Sequence, residues 1–164
     1  MADRDEREAK RSGGVAMPAH TARYALTVRQ PWAHAIAYLG KRIENRTWKP
    51  PPVMVGTGVP VLIHAGSNWM DPEVGFFEKH PDLRSNLPKR SSLPGGVFVA
   101  VAKIASVVTE SNDPWFLGPN GWVLEDVIPL NPPLVSAKGA LGLWIPRPET
   151  LDLLDELNPT ILFV

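Results

Sequence analysis

Between residues 24 and 66 the spacing of apolar side chains changes period twice. In "YALTVR" (24–29), Tyr24, Leu26 and Val28 alternate with the rest, as in a half-buried strand. From Trp32 the period lengthens. Trp32, Ala35, Ile36 and Leu39 fall at i, i+3, i+4 and i+7, one buried stripe of a helix. Pro31 suits the first helical position, where its missing N–H is not needed, and Gly40 suits the residue just past the end. "RIENRTW" (42–48) returns to period two, with Ile43, Asn45 and Thr47 on one face and Arg42, Glu44, Arg46 and Trp48 on the other. "VPVLIHAG" (59–66) is an apolar strand carrying one polar side chain, His64.

Further along, "DPEVGFFEKH" predicts a short helix with Asp71 as its cap and Pro72 at its first position. The stretch holding Arg84, Lys89 and Arg90 reads as an exposed loop. Strands are predicted over 95–110, 121–130 and 140–146. A helix is predicted over 148–157, with Leu151, Leu154 and Leu157 in register. The final "ILFV" reads as a packed apolar tail. With 18 prolines and 13 glycines between short elements, the pattern describes an α+β fold. We expect a small mixed β-barrel of five to six strands, with two or three helices at its ends; closure would remove the edges of the sheet. Residues 1–20 alternate charge sign, lack aromatics and include Gly-Gly. They read as a disordered tail ahead of a single domain over 21–164.

Charge narrows the functional classes. Lys plus Arg and Asp plus Glu number 17 each. That balance argues against a basic sheath along a long nucleic acid, since counterion release needs many cations on one face. A small positive pocket remains compatible with it. There is no cysteine, hence no disulfide and no thiolate metal site. The four histidines, His20, His34, His64 and His80, show no ligand spacing, so neither a metal nor another cofactor is expected. No run approaches the roughly 20 apolar residues of a membrane helix, and the charged start lacks the apolar core of a signal peptide. The expectation is a cytoplasmic protein with no membrane partner.

Candidate chemistry concentrates in "RQPWAHAIAYLGKRIENRTW" (29–48). A helix ending at Gly40 leaves Lys41 at a corner, with Glu44 and Arg46 two residues apart on one strand face and Trp32 and Trp48 nearby. The bland reading is a surface ion pair beside core tryptophans. The functional reading is a pocket. A base stacks on an indole, Arg46 or Lys41 takes phosphate or carbonyl oxygens, and Glu44 accepts from an exocyclic amine. Gln30, Asn45 and His64 add hydrogen-bonding groups, although His64 among Val and Ile also fits a satisfied core histidine. Were the protein an enzyme, Lys41 would be nucleophile or base and Glu44 its proton shuttle or orienting group, without a metal. Alanine at Lys41 or at Arg46 is expected to weaken binding and to leave thermal stability nearly unchanged.

These segments, together with "VLIHAG", "LPGGVFVAVAKI", "WFLGPNGWVLEDVIPL" and "GALGLW", occur in an order that resembles the ASCH domain, a branch of the PUA-like superfamily. The resemblance covers about 24–145, and its G-K-x-x-E-x-R core is Gly40, Lys41, Glu44 and Arg46. It implies a PUA-like barrel with a cleft beside the first helix, and RNA or nucleotide binding. Some members are enzymes. One branch deacetylates N4-acetylcytidine using the motif lysine and a threonine three residues later, where this chain has Glu44; that departure argues against the same scheme here. Another branch is connected with ribonuclease activity. The expected function is therefore a nucleic-acid or nucleotide-binding module, with single-stranded RNA foremost. An amidohydrolase or ribonuclease stands as one alternative and a protein-interaction domain as another.

Overall fold

The computed structural model describes residues 24–72, 75–134 and 137–157. The charged stretch 1–20 and the apolar end 161–164 lie outside them. Strand β1 (Tyr24–Gln30) leads into α1 (Trp32–Tyr38), β2 (Ile43–Arg46) and the long β3 (Pro60–Trp69). Two short helices follow, α2 (Phe76–Lys79) and α3 (Pro81–Asn86), then β4 (Val97–Val108), β5 (Asn120–Leu134), β6 (Leu143–Trp144) and α4 (Pro148–Leu157).

Six strands form one mixed sheet in the order β2-β5-β4-β3-β1-β6. Only β1 and β3 pair in parallel; the other neighbours are antiparallel. The strand count agrees with the sequence reading. The sheet is not closed, because its end strands β2 and β6 do not pair. Both edges are short instead, four residues in β2 and two in β6, which blunts them without closure. The pairing of β4 with β5 shifts register three times. Each such bulge bends the strand, so two long strands can curve around a small core.

Alternation along the strands separates two cores. Leu26, Val28, Val61 and Ile63 point to one face, where they meet Ile36 and Ala33 of α1 and the fully buried Trp122. Ala25 and Leu62 point to the other and meet Phe98, Leu130 and, from α4, Leu151 and Leu154. At an order of ~2 kcal/mol for each fully buried aliphatic side chain, these two layers hold α1 and α4 against the sheet.

Three local expectations are corrected. The helix expected behind Asp71 is found as α2, whose cap is Gly75 at φ 87°; the Asp71 carboxylate instead accepts from Trp69 Nε1 at 2.7 Å. The loop holding Arg84 contains α3, which starts at Pro81, with Asp82 in its first turn. A proline at the first position and an acid near the positive helix end favour a start there. The strand holding His64 runs on to Trp69, because Gln30 of β1 pairs with Trp69.

Candidate functional site

The register of the sheet brings the site together. In the parallel pair, Thr27 lies opposite His64. In the β2–β5 pair, Glu44 lies opposite Trp122 and Asn45 opposite Gly121. A cavity of about 590 Å³ opens beside these positions. Lys41, Glu44, Asn45, Arg46, Trp32 and His64 all line it.

Glu44 is the hub of the polar side. One carboxylate oxygen accepts from Lys41 Nζ at 3.1 Å, the other from Arg46 Nε at 3.0 Å. Arg46 Nη2 also donates to the Thr27 carbonyl at 2.7 Å, tying β2 to β1. Lys41 Nζ donates as well to the Ile43 carbonyl. The side chains of Lys41 and Glu44 are only 4% and 8% exposed, that of Arg46 21%. This is therefore no surface ion pair. It also corrects the expectation that Lys41→Ala leaves stability unchanged: truncation strands a buried carboxylate with half its partners.

Asn45 holds a loop in place. Its Nδ2 donates to the Trp115 carbonyl at 2.9 Å, and its Oδ1 accepts from the N–H groups of Leu117 and Gly118 at 2.8 and 3.1 Å. That bonding sets Trp115 at the cavity, where its ring lies 6.4 Å from Trp32 and 6.0 Å from Phe76; Trp32 and Phe76 are 5.2 Å apart. Three aromatic rings thus form one wall of the cavity.

His64 belongs to a directed chain of hydrogen bonds. Trp144 Nε1 donates to Thr27 Oγ1 at 3.1 Å, Thr27 Oγ1 and His64 Nδ1 are 3.3 Å apart, and His64 Nε2 meets the Ala137 carbonyl at 2.7 Å. A carbonyl only accepts, so the ring proton sits on Nε2 and the hydroxyl donates to Nδ1. Burial lowers the imidazole pKa below its ordinary value, and the bond to Ala137 opposes this more weakly. His64 is thus a neutral histidine with both nitrogens engaged. Behind it, a Cβ on Gly139 would lie 2.6 Å from Thr27 Oγ1 and 2.9 Å from the imidazole. Only glycine lets the strap over 137–142 pass so close.

Gln30 and Trp48 do not line the cavity, which corrects their place in the candidate site. Gln30 is buried; its Oε1 accepts from His34 N at 3.0 Å and its Nε2 donates to the Pro94 carbonyl at 3.1 Å, anchoring the start of α1. Trp48 lies past the end of β2, beyond the reach of strand alternation, and packs edge-on against Trp122 at 4.7 Å. Sequence reasoning did not assign Thr27, Phe76, Trp115 or the strap to the site. The segment after β3's buried run adds Ser67, Asn68, Met70 and Phe76 to the wall. Among the described residues no group of three or more His, Cys, Asp or Glu side chains could hold a metal, and no helix is long and apolar enough to cross a membrane.

No protein-family model matches the sequence, and no curated protein does. Solved ASCH structures from Zymomonas mobilis are similar to this chain. One, of ASCH itself, matches at 15% identity, covering 83% of this chain and 95% of that one, with a TM-score of 0.49. A Tyr-to-Phe variant covers 84% and 99%, and a Ser-to-Ala variant 86% and 99%, at the same identity and TM-score.

Proposed function

We propose that the cavity holds one nucleobase, from a nucleotide or from a base turned out of single-stranded RNA, without chemical conversion. The observation that carries this reading is the pairing, within one cavity, of an aromatic wall with a buried Lys41–Glu44–Arg46 cluster. An aromatic face receives a planar ring of any sequence, and fixed donors select among ring edges. The volume falls within the roughly 300–1,000 Å³ of small-ligand sites. Equal numbers of acidic and basic residues suit a single-base footprint better than a long track.

The hydrolase alternative asks Lys41 to act as nucleophile or base. Its amine instead donates to the Glu44 carboxylate and the Ile43 carbonyl, an arrangement that fits a positioned donor. Binding is therefore favoured over catalysis.

The test is a melting-temperature screen of nucleosides, nucleotides and short RNAs, because a ligand taken only by the folded form must raise the transition. Trp115→Ala is expected to weaken the best ligand by roughly 5- to 150-fold, the equivalent of one lost base stack of about 1–3 kcal/mol. If no ligand in the screen shifts the transition, the proposal fails.

A further inference from the structure

Charge is distributed unevenly between the cavity and the rest of the chain. The whole sequence is formally neutral, yet the cavity lining sets Arg29, Lys41, Arg46 and Lys138 against Glu44 alone. With His64 neutral, that is a formal charge of +3. Lys41 and Arg46 are bound to Glu44. Arg29 and Lys138 have no ion-pair or hydrogen-bond partner among the described residues, and both are exposed.

Both are held on fixed backbone. The pairing of β1 with β3 shifts register between Val28 and Gln30, at Arg29 itself. The flanking pairs, Val28 with Ala65 and Gln30 with Trp69, hold Arg29 within β1 on the face of Thr27, and the extra residues of the shift lie on β3. Lys138 rides on the strap over 137–142. Ala137 is pinned on both sides of its peptide unit, its N–H donating to the Gly96 carbonyl at 2.8 Å and its carbonyl accepting from His64 at 2.7 Å. Gly139 is pressed against Thr27 and His64 on the other flank of Lys138. Two unpaired cations on pinned segments thus line the same cavity.

We propose that Arg29 and Lys138 form a phosphate clamp, so that the guest is a phosphorylated nucleoside rather than a neutral one. This rests on the nucleobase reading above. A phosphomonoester carries about −1.5 to −2 charges at pH 7, which matches the two cations, and a guanidinium grips its oxygens in bidentate fashion. Exposed Ser67 and Asn68 on the same lining offer further polar contacts.

The experiment is calorimetric titration of the full chain with the four common nucleosides and their 5′- and 3′-monophosphates, at about 50 and 300 mM salt. At low salt the best monophosphate is expected to bind at least tenfold tighter than its nucleoside, and screening should narrow that gap at high salt. In Arg29→Gln/Lys138→Gln, two exposed positions, the monophosphate should fall toward the nucleoside. Dinucleotides with one internal phosphate distinguish the source: tighter binding than any monophosphate assigns the clamp to an RNA backbone, weaker binding to a free nucleotide. Equal affinity of nucleoside and monophosphate in the wild type overturns the clamp and leaves the base site standing. A double variant that keeps the full gap overturns it too. If neither ligand class binds, the nucleobase reading falls and the clamp falls with it.

Discussion

Replacing Glu44 by glutamine keeps the shape of the side chain and removes its charge. In the native protein two cations sit at 3.0 and 3.1 Å from its oxygens. At an effective dielectric near 20, each contact is worth about 5 kcal/mol of gross attraction. Desolvation offsets much of this, because Lys41 and Glu44 are almost fully removed from water. The cost of glutamine is larger than that balance suggests. Its carbonyl oxygen satisfies one cation, but its amide N–H group then faces the other, donor against donor. Breaking a buried ion pair from one side costs roughly 3–5 kcal/mol. Arg46 keeps a fifth of its surface in water, so an expected loss of about 2–4 kcal/mol is reasonable. At about 2–4 °C per kcal/mol for a chain of this size, the melting point should fall by roughly 5–15 °C. Urea unfolding followed by tryptophan fluorescence gives the measurement directly, as a shifted midpoint at constant slope. A cycle with Lys41→Met should show a coupling of at least about 1 kcal/mol. A loss under about 0.5 kcal/mol in Glu44→Gln, with no coupling, would mean that the three groups behave like an exposed pair and that the buried hub is an error.

Acid should weaken the fold from about pH 6.5 downward. Burial lowers the pKa of His64 and of His34 below 6.5; below that pH the unfolded chain binds protons that the folded chain refuses. Stability is therefore full above pH 6.5, declines as pH falls from there toward the folded values, and levels off beneath them. The slope should not exceed about 1.4 kcal/mol per pH unit for each histidine. His64→Gln should reduce it, and a flat urea midpoint between pH 7.5 and 5.5 would contradict the assignment. Gly139→Ala places a methyl group 2.6 Å from Thr27 Oγ1. It should lift the strap and cost about 1–3 kcal/mol, together with affinity for any guest that touches Lys138; unchanged stability in the same urea assay would mean that the strap yields freely.

The sequence alone determined the elements whose reasons are local. Period two marked β1 and β2, a continuous apolar run marked β3, a 3.6-residue stripe marked α1, and three leucines in register marked α4 over its full length, because each pattern reports which faces are buried. The order of Lys41, Glu44 and Arg46 also placed these groups within reach of one another, since they are neighbours in the chain. What only the tertiary structure decided depends on register between distant segments. Thr27 meets His64 because β1 and β3 pair in parallel with that offset, and no local pattern carries the offset. Trp115 becomes a cavity wall because Asn45, 70 residues earlier, captures its carbonyl. Trp48 left the site because β2 ends at Arg46, and alternation holds only while a strand continues. Gln30 looked like a ligand group for the same reason that it serves as an anchor: a buried amide must satisfy both its ends, and only the folded chain shows which partners do so.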